Sequence, residues 1–184
     1  MIIGSIKEDT NLEKRVSITP ETAKNITALG LSVSLEKNYA IHLGIEDKQY
    51  ENNGVKFYDS AKEVADNSSL ILKVNCPTEE ETKILKEKTI LVGIFNPSKN
   101  QDKLKEVLKK NINVFSLELL PRISRAQSMD VLSSQSNLAG YRAVIESIYE
   151  FEKAIPMMMT AAGTVPAAKV LVIGAGVAGL QAIA

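Results

Sequence analysis

At 184 residues, 45% of them apolar and 24% charged, the chain has a globular composition and enough length for one α/β domain and part of a second. Twenty-two basic residues balance twenty-two acidic ones, which removes any global electrostatic argument for nucleic acid or an anionic membrane surface. A single cysteine, Cys76, excludes an intrachain disulfide and argues against a cysteine-based zinc centre, and no apolar run reaches the ~18 residues of a membrane span. The N-terminus also lacks the basic and apolar regions of a signal peptide, so the expectation is a soluble chain in a reducing, cytosolic setting.

Short apolar runs alternate with charged, helix-compatible segments along the first two thirds of the sequence. The runs at 2–6, 31–35, 55–58, 70–74, 90–95 and 112–117 read as strands. Between them, Thr19 caps a helix with Pro20 at its first position and Gly30 as its stop. Ser60 caps residues 61–65, Thr78 caps an acidic-then-basic segment at 79–88, and Asn100 or Gln101 opens a segment ending at Lys109 and Lys110. This alternation predicts a doubly wound α/β domain with a mainly parallel sheet. Such sheets bind ligands beyond the carboxyl ends of their strands, which singles out the loops beginning near Lys7, Asn75, Asn96 and Glu118.

From Asn137 the spacing of Leu138, Tyr141, Val144, Ile145, Ile148 and Tyr149 follows a helical period and predicts a long bridging helix through about Lys153. Pro156 ends it. Met157, Met158 and Met159 then read as flexible core packing within a connector. The boundaries that follow are an N-terminal domain over 1–136, a bridging helix and connector over 137–168, and the start of a Rossmann domain over 169–184.

That last segment begins with an apolar run, 170–173, of the kind expected for a parallel strand buried on both faces. It feeds into Gly174-Ala175-Gly176-Val177-Ala178-Gly179, the spacing of a dinucleotide-binding turn. Gly174 permits the tight turn, Gly176 lets backbone approach a pyrophosphate, and Gly179 allows close packing of the helix on the strand. The acidic residue that holds the ribose in such folds, about 20 positions on, falls beyond Ala184.

The loop between the last strand and the long helix is polar and bears arginine. Arg122 offers a planar fork, Gln127 an amide, Asp130 an acceptor and Ser133 either role; together they suit a carboxamide, although a capping and salt-bridge loop has the same composition. His42 stands alone, pairs with no evident partner and cannot by itself make a metal site, so no metal is expected.

This loop, the following Asn137-Leu-Ala-Gly-Tyr-Arg-Ala-Val144, the connector from Pro156 to Pro166, the Gly174 fingerprint and the N-terminal segment from Lys7 to Pro20 closely resemble the alpha subunit of the proton-translocating NAD(P) transhydrogenases. The resemblance runs the whole chain. It implies an NAD(H)-binding component of two α/β subdomains, with Arg122, Gln127, Asp130 and Ser133 at the nicotinamide and Gly174, Ala175, Gly176, Val177 and Gly179 at the rest of the cofactor. It implies further that hydride passes to NADP(H) on a partner component, that a membrane-spanning part couples the transfer to proton translocation, and that the chain is a dimer peripheral to that membrane. A separate chain completing the Rossmann domain is also expected.

Alanine dehydrogenase, a relative of the same architecture, is the alternative enzyme. The chain resembles it around Arg15 and Lys73, which would hold a keto acid there; read without the resemblance, Arg15 is a solvated loop charge and Lys73 a snorkelling strand residue. The histidine that enzyme uses after the next strand is replaced by Asn96. A non-catalytic fragment or assembly partner is the third reading.

Overall fold

The computed structural model describes residues 1–184. Two compact units divide after Leu120, Met1–Leu120 and Pro121–Ala184.

The first unit is a six-stranded sheet in the order β3-β2-β1-β4-β5-β6, every pair parallel. The strands are β1 (Ile2–Ser5), β2 (Ser32–Glu36), β3 (Lys56–Tyr58), β4 (Leu70–Leu72), β5 (Ile90–Gly93) and β6 (Asn113–Ser116). Each lies within or one residue from an apolar run of the sequence. The helices are α1 (Pro20–Ala28), α2 (Asp47–Glu51), α3 (Ala61–Asn67), α4 (Glu79–Ile84) and α5 (Gln101–Lys109). Leu70 and Leu72 pack against one buried cluster, with Ile3, Val33, Leu35, Tyr39 and Tyr50. Ile71, between them, packs in the other, with Ile6, Val64, Leu91, Phe95 and Val107. Alternate residues of one strand point to opposite faces, so the two clusters sandwich the sheet.

The caps explain where the helices start. Thr19 accepts from the backbone of Thr22, Ser60 from Glu63, and Thr78 forms a reciprocal capping box with Glu81. Gly30, at φ +76°, ends α1 in a left-handed turn. Asn100 precedes α5 without capping it; its amide instead donates to the Phe95 carbonyl. Helix α4 stops at Ile84, short of Lys88. Its freed carbonyls at Thr82, Lys83 and Leu85 all accept from the Lys110 ammonium, at 2.9, 2.8 and 2.7 Å.

The second unit departs further from expectation. Its long helix, α6 (Val131–Phe151), begins six residues before Asn137, because Asp130 caps it and the polar run Ser133–Ser136 joins its first turns. The connector contains an antiparallel hairpin, β7 (Met158–Thr160) with β8 (Gly163–Val165). Met157 and Met159 stand 64% and 84% exposed there, so the methionine triplet is not core packing. Residues 170–173 join no sheet: a strand exists only through ladder hydrogen bonds to a neighbour, and none pairs with this run. Leu171 and Ile173 are accordingly 84% and 92% exposed. Helix α7 (Val177–Ile183) closes the unit.

Candidate functional site

The strand order reverses between β1 and β4, and the loops leaving their carboxyl ends carry a charged cluster. Lys73 follows β4. Its side chain is 2% exposed, so it does not snorkel: a buried ammonium is tolerated only when paired. Its Nζ lies 2.6 Å from Oε1 of Glu81 and 3.2 Å from Oε2 of Glu8. The remaining carboxylate oxygens are satisfied too, Glu8 by the Val74 N–H at 2.7 Å and Glu81 by the Thr78 N–H at 2.8 Å.

Arg15, with 48% of its side chain exposed, grips Glu13 through Nε and Nη2 at 2.8 and 2.7 Å. Hydrogen bonding to that guanidinium is the main cause that holds the Glu13 carboxyl below its ordinary value, and the same bond raises Arg15. It is therefore more than a solvated charge. After β5, Asn96 sits exposed at φ +45°, a left-handed conformation that asparagine tolerates, with its N–H on the Glu118 carboxylate, which also accepts from Ser116 at 2.8 Å. Cys76, half-buried, has its thiol pushed up mainly by desolvation, which keeps it protonated. His42 hydrogen-bonds the Lys14 carbonyl at 2.8 Å through Nε2. No group of three or more His, Cys, Asp or Glu side chains is placed to hold a metal ion.

In the second unit, Arg122, Gln127 and Asp130 line one open cleft of about 230 Å³ together with Ile123, Ser124 and Ala126. Ser133 does not line it. It stands in the first turn of α6, tied to Asp130 twice: its N–H donates to Oδ1 at 3.0 Å and its hydroxyl to Oδ2 at 2.7 Å. Those bonds, backbone first, hold the Asp130 carboxyl below the ordinary aspartate value, with a lesser contribution from Arg122.

The glycine turn has the features its spacing implies. Gly174 adopts φ +110°, and a Cβ built there or at Gly176 meets nothing within 4 Å, leaving backbone open to a ligand. Gly176 caps α7 in extended conformation, and Leu180 donates to its carbonyl. At Gly179 a Cβ would lie 2.0 Å from the Gly174 carbonyl oxygen, so only glycine lets α7 pass this close to the turn. Ala175 and Val177 are exposed beside it.

Sequence reasoning did not anticipate the Lys73 cluster, the hairpin or α2. The first left a signal, a lysine inside an apolar strand followed by Thr-x-x-Glu at 78–81. The hairpin left the weaker one of Gly163 after two alanines.

A parallel sheet wound in the order 3-2-1-4-5-6, followed by a glycine turn into a helix, places the chain among the doubly wound α/β proteins. More closely, it belongs to the alanine dehydrogenase/PNT family: residues 4–139 match the model of that family's N-terminal domain, and residues 143–184 match the model of its C-terminal domain. It is 45% identical over its full length to the first part of NAD(P) transhydrogenase subunit alpha of Rickettsia prowazekii, of which it covers 49%, and 44% identical to the protein of the same name from Rhodospirillum rubrum, again covering 49%. The chain thus spans about half the length of these relatives. Among solved structures it superposes on the transhydrogenase of Sinorhizobium meliloti with a TM-score of 0.94 at 44% identity, covering all of this chain and 55% of that one. An L-alanine dehydrogenase, at 22% identity and a TM-score of 0.84, shares the fold.

Proposed function

We propose that this chain is part of the NAD(H)-binding component of a proton-translocating NAD(P) transhydrogenase. The observation that carries the reading is the convergence of Arg122, Gln127 and Asp130 on one cleft, in the unit that also holds the open glycine turn. Arg122 and Gln127 offer the donors and acceptor that a nicotinamide carboxamide requires. Asp130 keeps a negative charge beside Arg122, and Ser133 holds Asp130 in place. The backbone of Gly174, Ala175, Gly176 and Val177 suits a pyrophosphate, with Gly179 setting the approach of α7.

The cofactor supplies the hydride; the residues named orient the ring and exclude water, and no general acid or base is needed at the transfer. Hydride then passes to NADP(H) on a partner component, and a membrane-spanning partner couples the transfer to proton movement. No helix of this chain is long and apolar enough to cross a membrane; its proposed place, peripheral to the membrane on the cytoplasmic side, rests on the family to which it belongs.

Calorimetric titration of reduced NAD into the chain, followed by hydride exchange with an NADP analogue when the partner components are added, tests this reading. Arg122→Ala should slow exchange far more than it changes the melting temperature; equal rates would sink the site assignment. Alanine dehydrogenase activity is the second reading, favoured by Arg15 and Lys73 at the β1/β4 switch point. Pyruvate- and ammonia-dependent oxidation of reduced NAD would establish it. Absence of cofactor binding with every partner would leave an assembly module.

A further inference from the structure

The charge of the chain balances as a whole but not along its length. Residues 83–110 hold eight lysines against three acids, Glu87, Asp102 and Glu106, which leaves fourteen basic and nineteen acidic residues everywhere else. The fold gathers part of that excess in one place. Helices α4 and α5 lie side by side over one face of the sheet, sharing the buried cluster of Leu104 and Val107 with Ile84 against it. The groove of about 650 Å³ between them is lined by Lys83, Lys103, Lys109 and Lys110, with Glu79, Asp102 and Glu106. Pairing among these groups is uneven. Asp102 is bound by Lys105, which does not line the groove, and Glu106 by Lys109. Lys110 gives its three N–H bonds to the carbonyls that end α4. Glu79 sits in the first turn of α4, where the helix dipole favours its charge. Lys83 on one wall and Lys103 on the other, both exposed, are left with no ion pair.

We propose that this groove docks an acidic, extended segment of another polypeptide, with one of its carboxylates on Lys83 and another on Lys103. Charge selects the class of partner. Two unpaired ammonium groups on facing walls focus a positive potential into the concave surface, and the half-buried Lys110 ammonium adds to it even though its bonds are used. A carboxylate that reaches Lys83 or Lys103 forms a charge-assisted bond and displaces only water, because no internal partner has to be given up. Shape separates such a segment from a membrane. A flat anionic bilayer meets the exposed ridge of α5, where Asp102 with Lys105 and Glu106 with Lys109 already neutralise one another, and it cannot enter the groove. The surplus of acids outside residues 83–110 repels the same segment elsewhere, so like charges direct it to this face. The inference stands apart from the cofactor reading, and neither needs the other.

Fluorescence anisotropy of a labelled hexaglutamate peptide, titrated with the whole chain, tests it. We expect saturable binding at low ionic strength that weakens toward about 0.15 M salt. Lys83→Gln combined with Lys103→Gln should weaken it by at least about tenfold, and Lys83→Arg combined with Lys103→Arg should retain it. Lys24→Gln combined with Lys48→Gln removes the same charge from α1 and α2, on the opposite face of the sheet, and should leave the affinity unchanged. Absence of binding at low salt overturns the proposal. So does equal weakening by the two glutamine pairs, which would mean that net charge alone acts. Vesicles of phosphatidylserine and phosphatidylcholine bound through Lys83 and Lys103, with the peptide unbound, would assign the face to lipid and overturn it as well. Should the Lys83 and Lys103 glutamine pair fail to fold, the two single variants decide the matter: each should weaken binding about threefold, and no loss in either sinks the assignment.

Discussion

Asp130 accepts two hydrogen bonds from Ser133, one from the backbone and one from the hydroxyl, and in doing so starts the long helix α6 at Val131. The two residues therefore act as a unit. One edge of that unit lines the cleft with Arg122 and Gln127, and the other is a helix cap.

Because the folded-state pKa of Asp130 is depressed, the stability it contributes is present above the ordinary aspartate value and is lost as pH falls through the lower folded value. Urea titrations at neutral pH and across the acid range should show Asp130→Ala less stable than the parent at neutral pH, with the gap closing below the usual carboxylate range. A gap that persists undiminished in acid would refute the charged cap. Ser133→Ala should reproduce part of the loss.

Lys73 gives a second prediction. Replacing it with alanine leaves Glu8 and Glu81 facing each other across a buried space, and breaking a buried pair in this way costs about 3–5 kcal/mol. Glu8→Gln keeps the shape and removes one of two negative charges, so its cost should be smaller. Denaturant unfolding of both variants measures the difference, and equal costs would mean that packing, not charge, dominates.

Tyr39 lies in a buried relay whose polarity follows from its donors. Ser5 gives its one hydroxyl proton to the Leu72 carbonyl at 2.8 Å, so in the 2.7 Å bond between them the Tyr39 phenol donates to Ser5, while the phenol oxygen accepts from the Ser17 N–H at 3.1 Å. Tyr39→Phe leaves the Ser17 N–H without its acceptor, a loss of about 1–3 kcal/mol, and amide exchange at Ser17 should accelerate more than at Val33, which lies outside the relay. Protection unchanged at Ser17 would contradict the relay.

Gly140 tests the docking of α7. A methyl group there collides with the Ala178 carbonyl, so Gly140→Ala should free α7, costing about 1–3 kcal/mol despite the better helix propensity of alanine. Hydrogen exchange over residues 177–183 provides the readout; faster exchange there, with α1 unaffected, is the expected pattern.

The six strands of the first unit and the starts of α1, α3 and α4 were legible because each rests on local chemistry: an apolar run for a strand, and Thr19, Ser60 or Thr78 bonding the backbone three residues on for a helix. The residues of the cleft were nameable from their functional groups and from the family resemblance. That Ser133 stands behind Asp130 and outside the cleft was not, because it depends on where α6 begins. The run at 170–173 reads as a buried strand, yet it pairs with no neighbour and is exposed, because strand formation is a property of a pair and not of a segment.

What the sequence determined by itself, then, is the alternation of elements, the caps of α1, α3 and α4 and the glycine turn, since period, capping and turn conformation act within a few residues of one another. Tertiary structure alone decided that β4 lies beside β1, which brings Lys73 between Glu8 and Glu81. It also decided which faces of α6 are covered. Glu8 and Lys73 are sixty-five positions apart, and no local interaction reaches that far; only the ordering of strands, fixed by burying both faces of the sheet at once, makes them neighbours.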